Sequence, residues 1–186
     1  VSIKSCLSYT FSVSNSQGTS LIKDRPFTAE MTRSIMLLKE KPYRPRMADY
    51  RIGVFFTGRE QLGEGAKTTV PVYYANRWDI QPSDTAAYLR GEKVKPTKQI
   101  VFYIDNTFPE KWKPYLREGV TQWNELFEQI GFKDVVAAKD FPTDDPEFDP
   151  DNIKYSCVRY APSSIENAMG PSWVDPRSGE ILNASV

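Results

Sequence analysis

The sequence predicts an α+β protein, an antiparallel β region followed by an α/β segment with a mixed twisted sheet and one long helix. Three observations carry this. Apolar and polar residues alternate in short runs from Ser8 to about Ile80. The near-continuous apolar run Ile100 to Asp105 is followed by apolar residues at helical spacing from Trp112 to Ile130. A turn-forming cluster, Asp175 to Gly179, then joins two more β-type runs.

In the first region Tyr9, Phe11 and Val13 alternate with polar residues and run into the turn cluster Ser14 to Gly18. A second apolar run, Ser34 to Leu38, is too short for a helix and is broken by Pro42 and Pro45. Arg51 to Thr57 reads as a strand, and Gly58, Gly63 and Gly65 mark a hairpin before Val70, Val72, Tyr74, Trp78 and Ile80. The aromatic residues here are expected to be sheet core. Ser83 caps a short helix, Asp84 to Arg90, which Gly91 stops. The stretch from Gly91 to Gln99 lacks periodicity and places a domain boundary near Pro96, dividing the chain into residues 1–96 and 97–186.

Beyond that boundary, Ile100 to Asp105 has the composition of a strand covered on both faces. Trp112, Leu116, Gly119, Val120, Trp123, Phe127 and Ile130 then define one helix, with Pro109 and Pro114 near its start and Gly131 at its end. Phe132 to Lys139 is the next strand, parallel to the first if the crossover is right-handed. Tyr155 to Tyr160, Ala168 to Val174 and Glu180 to Val186 are further strands, the last two joined through Asp175 to Gly179.

Composition narrows the chemistry. The 186 residues are 40% hydrophobic, enough for a packed core, and lysine plus arginine equals aspartate plus glutamate at 24 each, so no net field favours nucleic acid. No apolar run is long enough to span a bilayer, and the opening residues lack the pattern of a signal peptide. The chain opens in a strand without an initiator methionine and closes in another, so it is expected to be a piece of a longer protein. With no histidine, Ser-His-Asp and Cys-His nucleophiles are excluded, as is a histidine-dependent zinc site. No glycine-rich phosphate loop opens a helix, and no spacing selects a serine-lysine or carboxylate pair. Cys6 and Cys157 are expected to be two free buried thiols rather than a disulfide. Asp144, Asp145, Glu147, Asp149 and Asp151 crowd one loop. They lack the glycine and closing glutamate of an EF-hand, so a solvated acidic loop is expected over a calcium site.

The run QIVFYIDNTFPEKWKPYLREGVTQWNELFEQIGFKDVVAAKD, with KYSCVRYAPSSIENAMGPSWVDPRSGEILNASV, resembles the stretch just upstream of the zinc-binding helix in large bacterial metzincin-like zinc metallopeptidases. PRMADYRIGVFF and VYYANRWDIQP resemble the end of the β-rich uncharacterised domain that precedes the catalytic domain in the same proteins. The resemblance implies that residues 97–186 form the first part of a metzincin-like catalytic domain. It further implies a parent enzyme that uses zinc, takes peptide or protein substrates, and works in an extracellular, periplasmic or cell-envelope setting. The motif H-E-x-x-H-x-x-G-x-x-H, which supplies the zinc ligands and the general base in metzincins, is absent, so no ligand or catalytic residue transfers and the chain alone is expected to be inactive.

Such enzymes bind extended substrate along an upper edge strand by antiparallel backbone pairing. The resemblance makes Asn167, Ala168, Met169, Gly170, Pro171 and Ser172, in a strand expected to run to Trp173, the candidate substrate-binding residues. Small residues there allow close backbone approach, whereas Pro171 lacks an amide donor and must point away from the substrate or sit at a bulge. The alternative is a structural turn into the hairpin, and Asp175 with Arg177 fits turn chemistry better than catalysis. Two functions follow: part of a zinc endopeptidase, or a non-catalytic protein- or glycan-binding module. If the sheet lacks a helix it should receive, the bare face is expected to promote self-association.

Overall fold

The computed structural model describes residues 1–186 apart from 64, 66, 165 and 166, and it divides into two compact units, Val1–Leu37 and Leu38–Val186.

The first unit is a long antiparallel hairpin of β1 (Ser2–Ser14) and β2 (Ser20–Ser34). Asn15 closes the turn: its side-chain oxygen accepts the amides of Gln17 at 3.0 Å and Thr19 at 2.8 Å, and Gly18 has a φ of 81°. The apolar run expected at Ser34 to Leu38 is not a strand of its own, since β2 ends at Ser34. The strand lies upstream, where Pro26 and the left-handed Asp24 (φ 47°) interrupt the alternation. Pro26 faces Thr10 in a two-stranded ribbon, where a missing amide donor can point to solvent. Tyr9 stacks on Phe27 with ring centroids 5.5 Å apart, and Phe11 meets the same ring edge-on.

The second unit opens with the hairpin β3 (Phe56–Leu62) and β4 (Thr69–Ala75). Residues 46–48 lie along the other side of β4, with Ala48 N donating to Tyr73 O at 2.8 Å and Ala75 N to Arg46 O at 2.9 Å. Helix α1 (Thr85–Leu89) is capped by Asp84 rather than Ser83, its carboxylate accepting the Ala87 amide at 2.9 Å. The expected boundary near Pro96 falls within this unit, where Ser83 N donates to Lys95 O and Thr97 N to Gln81 O.

The α/β pattern follows. β5 (Ile100–Ile104) is flanked by β6 (Val136–Asp140) and β7 (Ser156–Val158), all three parallel, with β5 in the middle. The expected single helix is two, α2 (Lys113–Thr121) and α3 (Asn124–Gln129). The Thr121 hydroxyl donates back to Arg117 O at 2.9 Å and competes with the helical ladder, while Glu125 N and Leu126 N bond three residues back, tightening the turn between the helices. Gln122 and Trp123 keep right-handed helical angles, so the path bends without breaking.

One face of β5 packs into a core of Ala87, Val94, Ile100, Phe132, Val135 and Val136, joined by Trp78, Phe102, Val120 and Phe127. On the opposite face Tyr103 meets Phe148 and Tyr155, and Phe148 also touches Phe141. Phe148 belongs to the acidic loop, which is thus anchored on an aromatic cluster. Carboxylates of that loop serve its own turns, as Asp145 accepts the Glu147 amide and Asp149 the Asp151 amide.

A second, separate pair of strands lies beside β7. β8 (Ser172–Asp175) and β9 (Glu180–Ala184) form an antiparallel hairpin. Just beyond β9, Val186 N donates to Cys157 O at 2.9 Å and Arg159 N to Val186 O at 2.7 Å in a parallel bridge. The described residues thus form a three-stranded parallel sheet, β6-β5-β7, and a separate two-stranded antiparallel hairpin, β8-β9, whose end meets β7 through a single parallel bridge. In place of the expected single mixed sheet there are several small ones, parallel or antiparallel; the α+β class stands in this coarse form. Both cysteines are free thiols, but Cys6 is exposed and only Cys157 is buried. No helix among the described residues is long and apolar enough to cross a membrane.

Candidate functional site

The edge strand β8 depends on the turn that follows it. Asp175 and Glu180 close the hairpin, and Asp175 O accepts the amides of Ser178 at 3.1 Å and Gly179 at 2.8 Å. The Asp175 carboxylate is buried and engages Arg177 four times: from its backbone amide, twice from Nε, and from Nη2 at 2.7 Å. These bonds to Arg177 hold the Asp175 carboxyl below its ordinary range despite its burial. Both oxygens are consumed, so this pair builds the turn and offers no free base.

Neighbouring segments clamp the turn. Arg59 donates to Pro176 O, and Arg177 Nη2 to Lys39 O. Lys39 Nζ lies 2.7 Å from both Asp79 and Glu180, and these hydrogen bonds raise its pKa. Arg77 N donates to Gly179 O and Ile181 N to Arg77 O, which ties the start of β9 to the chain after β4. At the other end the Asn183 amide donates to Ile153 O at 2.9 Å and Tyr155 O at 2.7 Å, and Ser156 Oγ accepts the Ala184 amide. The partner of β8 is thus fixed at both ends.

Of the six residues expected to bind substrate, only Ser172 lies in β8; Asn167, Ala168, Met169, Gly170 and Pro171 approach it outside regular structure. Pro171 supplies a carbonyl where it cannot supply an amide: its oxygen accepts Ser185 N at 3.0 Å, so it faces β9. Gly170 lies against Val186, whose methyl would be 3.3 Å from an added β-carbon. The strand itself continues through Trp173, Val174 and Asp175, with a register shift between Trp173 and Val174. Val174 and Asp175, outside the expected site, are thus part of the edge. The alternation of Trp173 with its neighbours and the downstream turn were the signals for this shift toward the hairpin. Among the described residues β8 pairs with β9 alone, so its outer edge keeps unpaired backbone groups.

The residues present do not fit zinc. There is no histidine, and among the described residues no three of Cys, Asp or Glu cluster as a ligand set. Cys157, the buried thiol, is pushed up to about 11 by burial and is no ready thiolate.

Residues 1–83 match the family model described as a domain of unknown function, DUF5117. No curated protein and no solved structure matches the chain.

Proposed function

We propose that this chain forms the sheet and the substrate-facing edge of a zinc-dependent endopeptidase, with the zinc ligands and general base supplied by sequence outside these 186 residues. The observation that carries the reading is β8: a strand of an antiparallel hairpin, clamped through its partner β9, whose end a parallel bridge joins to β7, and paired with no other strand among the described residues. An extended peptide laid antiparallel against it would complete its hydrogen bonds, and side chains alternating along the peptide would face pockets on either side. The resemblance of residues 98–186 to the metzincin-like segment upstream of the zinc helix supports the same reading, and with it a secreted or cell-envelope setting. No step of the hydrolysis runs through residues of this chain; its part is to orient the peptide.

The test is peptidase activity and zinc content, measured on this chain and on the protein extended into the sequence that follows Val186 in its gene. Hydrolysis with about one zinc per chain, in the longer protein only, supports the reading. A gene that continues without a zinc-ligand set, or a longer protein with neither zinc nor activity, contradicts it.

One observation favours a binding module instead. The β1–β2 hairpin presents Tyr9, Phe11 and Phe27 at 41 to 45% exposure on one face, a surface suited to a protein or glycan partner. Glycan or protein binding by the chain, lost on Tyr9→Ala and Phe27→Ala and without any hydrolysis in the longer protein, would select that function.

A further inference from the structure

The outward face of α2 and α3 is apolar along its length. Trp112, Tyr115, Gly119, Trp123, Leu126 and Ile130 succeed one another at spacings of three or four, and the five with large side chains are 45 to 74% exposed. They are distinct from Val120 and Phe127, which pack inward on the core. Single exposed hydrophobic residues are ordinary, but a continuous stripe containing two tryptophans marks a contact surface.

The stripe is also symmetric. Tyr115 and Trp123 lie four residues either side of Gly119, and Trp112 and Leu126 lie seven either side. A two-fold axis at Gly119 would set a second copy antiparallel, with Tyr115 of each copy against Trp123 of the other and Trp112 against Leu126. A β-carbon at Gly119 would meet nothing within 4 Å, so the crossing point is open and two helices can approach closely there. Charge fits the same arrangement. Lys111 immediately precedes Trp112 and Glu125 immediately precedes Leu126, so both flank the stripe on the same side. Antiparallel pairing brings Lys111 of each copy, eight residues before the axis, within two positions of Glu125 of the other, six residues after it, a gap these long side chains span, and neither is in a salt bridge among the described residues.

We propose that this face is the interface of a homodimer in which α2–α3 packs antiparallel on a second copy of itself across Gly119. Glu118, beside the axis, then faces its own copy, an opposing charge that limits the dimer's strength at neutral pH.

Sedimentation equilibrium of the 186-residue chain over a wide concentration range tests this. A monomer–dimer equilibrium is expected, abolished by Trp123→Glu with an unchanged circular dichroism spectrum. Lys111→Glu and Glu125→Lys should each raise the dissociation constant roughly tenfold, and the double variant should recover the original value. Glu118→Gln should lower the constant. A monomer at every concentration, a dimer indifferent to Trp123→Glu, or a double variant without recovery overturns the proposal.

Discussion

Gly179 passes so close beneath Ala75 that a β-carbon added to it would lie 2.7 Å from the Ala75 carbonyl oxygen, and its φ of 73° is in the region glycine favours. Two independent constraints thus fall on one residue of the turn behind β8. Gly179→Ala should destabilise the protein by roughly 2–4 kcal/mol, through backbone strain and displacement of the end of β4. Urea denaturation checks this, and a change within about 0.5 kcal/mol would mean that the turn is not held as described.

Asp175 gives the turn a pH signature. Its carboxyl is held below the ordinary value of 3.8 by Arg177, so the charged form is favoured in the folded state. That contribution is fully present above the unfolded value and is lost as pH falls through the lower folded one. Asp175→Asn should be less stable than the parent at neutral pH, and the gap should narrow below about pH 4. Denaturation midpoints of both proteins across the acid range measure it; a gap independent of pH would remove the charge from the explanation.

Asn124 joins α3 to β6, its amide donating to Val136 O and its carbonyl accepting Val136 N, both at 2.8 Å. Asn124→Ala leaves two groups of a buried residue without partners and should cost about 2–3 kcal/mol, whereas Asn124→Asp, which keeps the acceptor, should cost less. Equal losses would point to packing rather than hydrogen bonding.

The thiols should separate cleanly. Cys6 is exposed, while Cys157 is buried with its pKa raised to about 11. At mild alkaline pH a thiol reagent should modify one cysteine per native chain and two in denaturant. Rapid modification of both in the native protein would show that the sheet around β7 opens readily.

Where sequence periodicity was unbroken, the fold was legible. The apolar Ile100 to Ile104 run is the central parallel strand, and Asp175 to Gly179 is the hairpin turn, because continuous burial and turn chemistry are both local. β2 was hidden by Pro26 and Asp24, whose placement is tolerated only because the ribbon has two free edges. The split of the long helix depends on Thr121 bonding back to Arg117 O and on the Asn124 anchor, neither of which disturbs apolar spacing. Of the candidate region, the hairpin was readable. The strand's exact span was not, since Pro171 turns its carbonyl toward β9 and β8 begins only at Ser172, five residues after Asn167. The clamp on the turn was also invisible, because Lys39, Arg59 and Arg77 reach it from far away in sequence.

Backbone pairing between β8 and a substrate is read by amide hydrogen exchange in the protein extended past Val186, with and without a non-hydrolysed extended peptide. Slowed exchange at alternate residues from Ser172 to Asp175 when peptide is added is the expected result, since only outward amides gain partners. Peptide binding that leaves the exchange of these residues unchanged would contradict a substrate-pairing role for the edge.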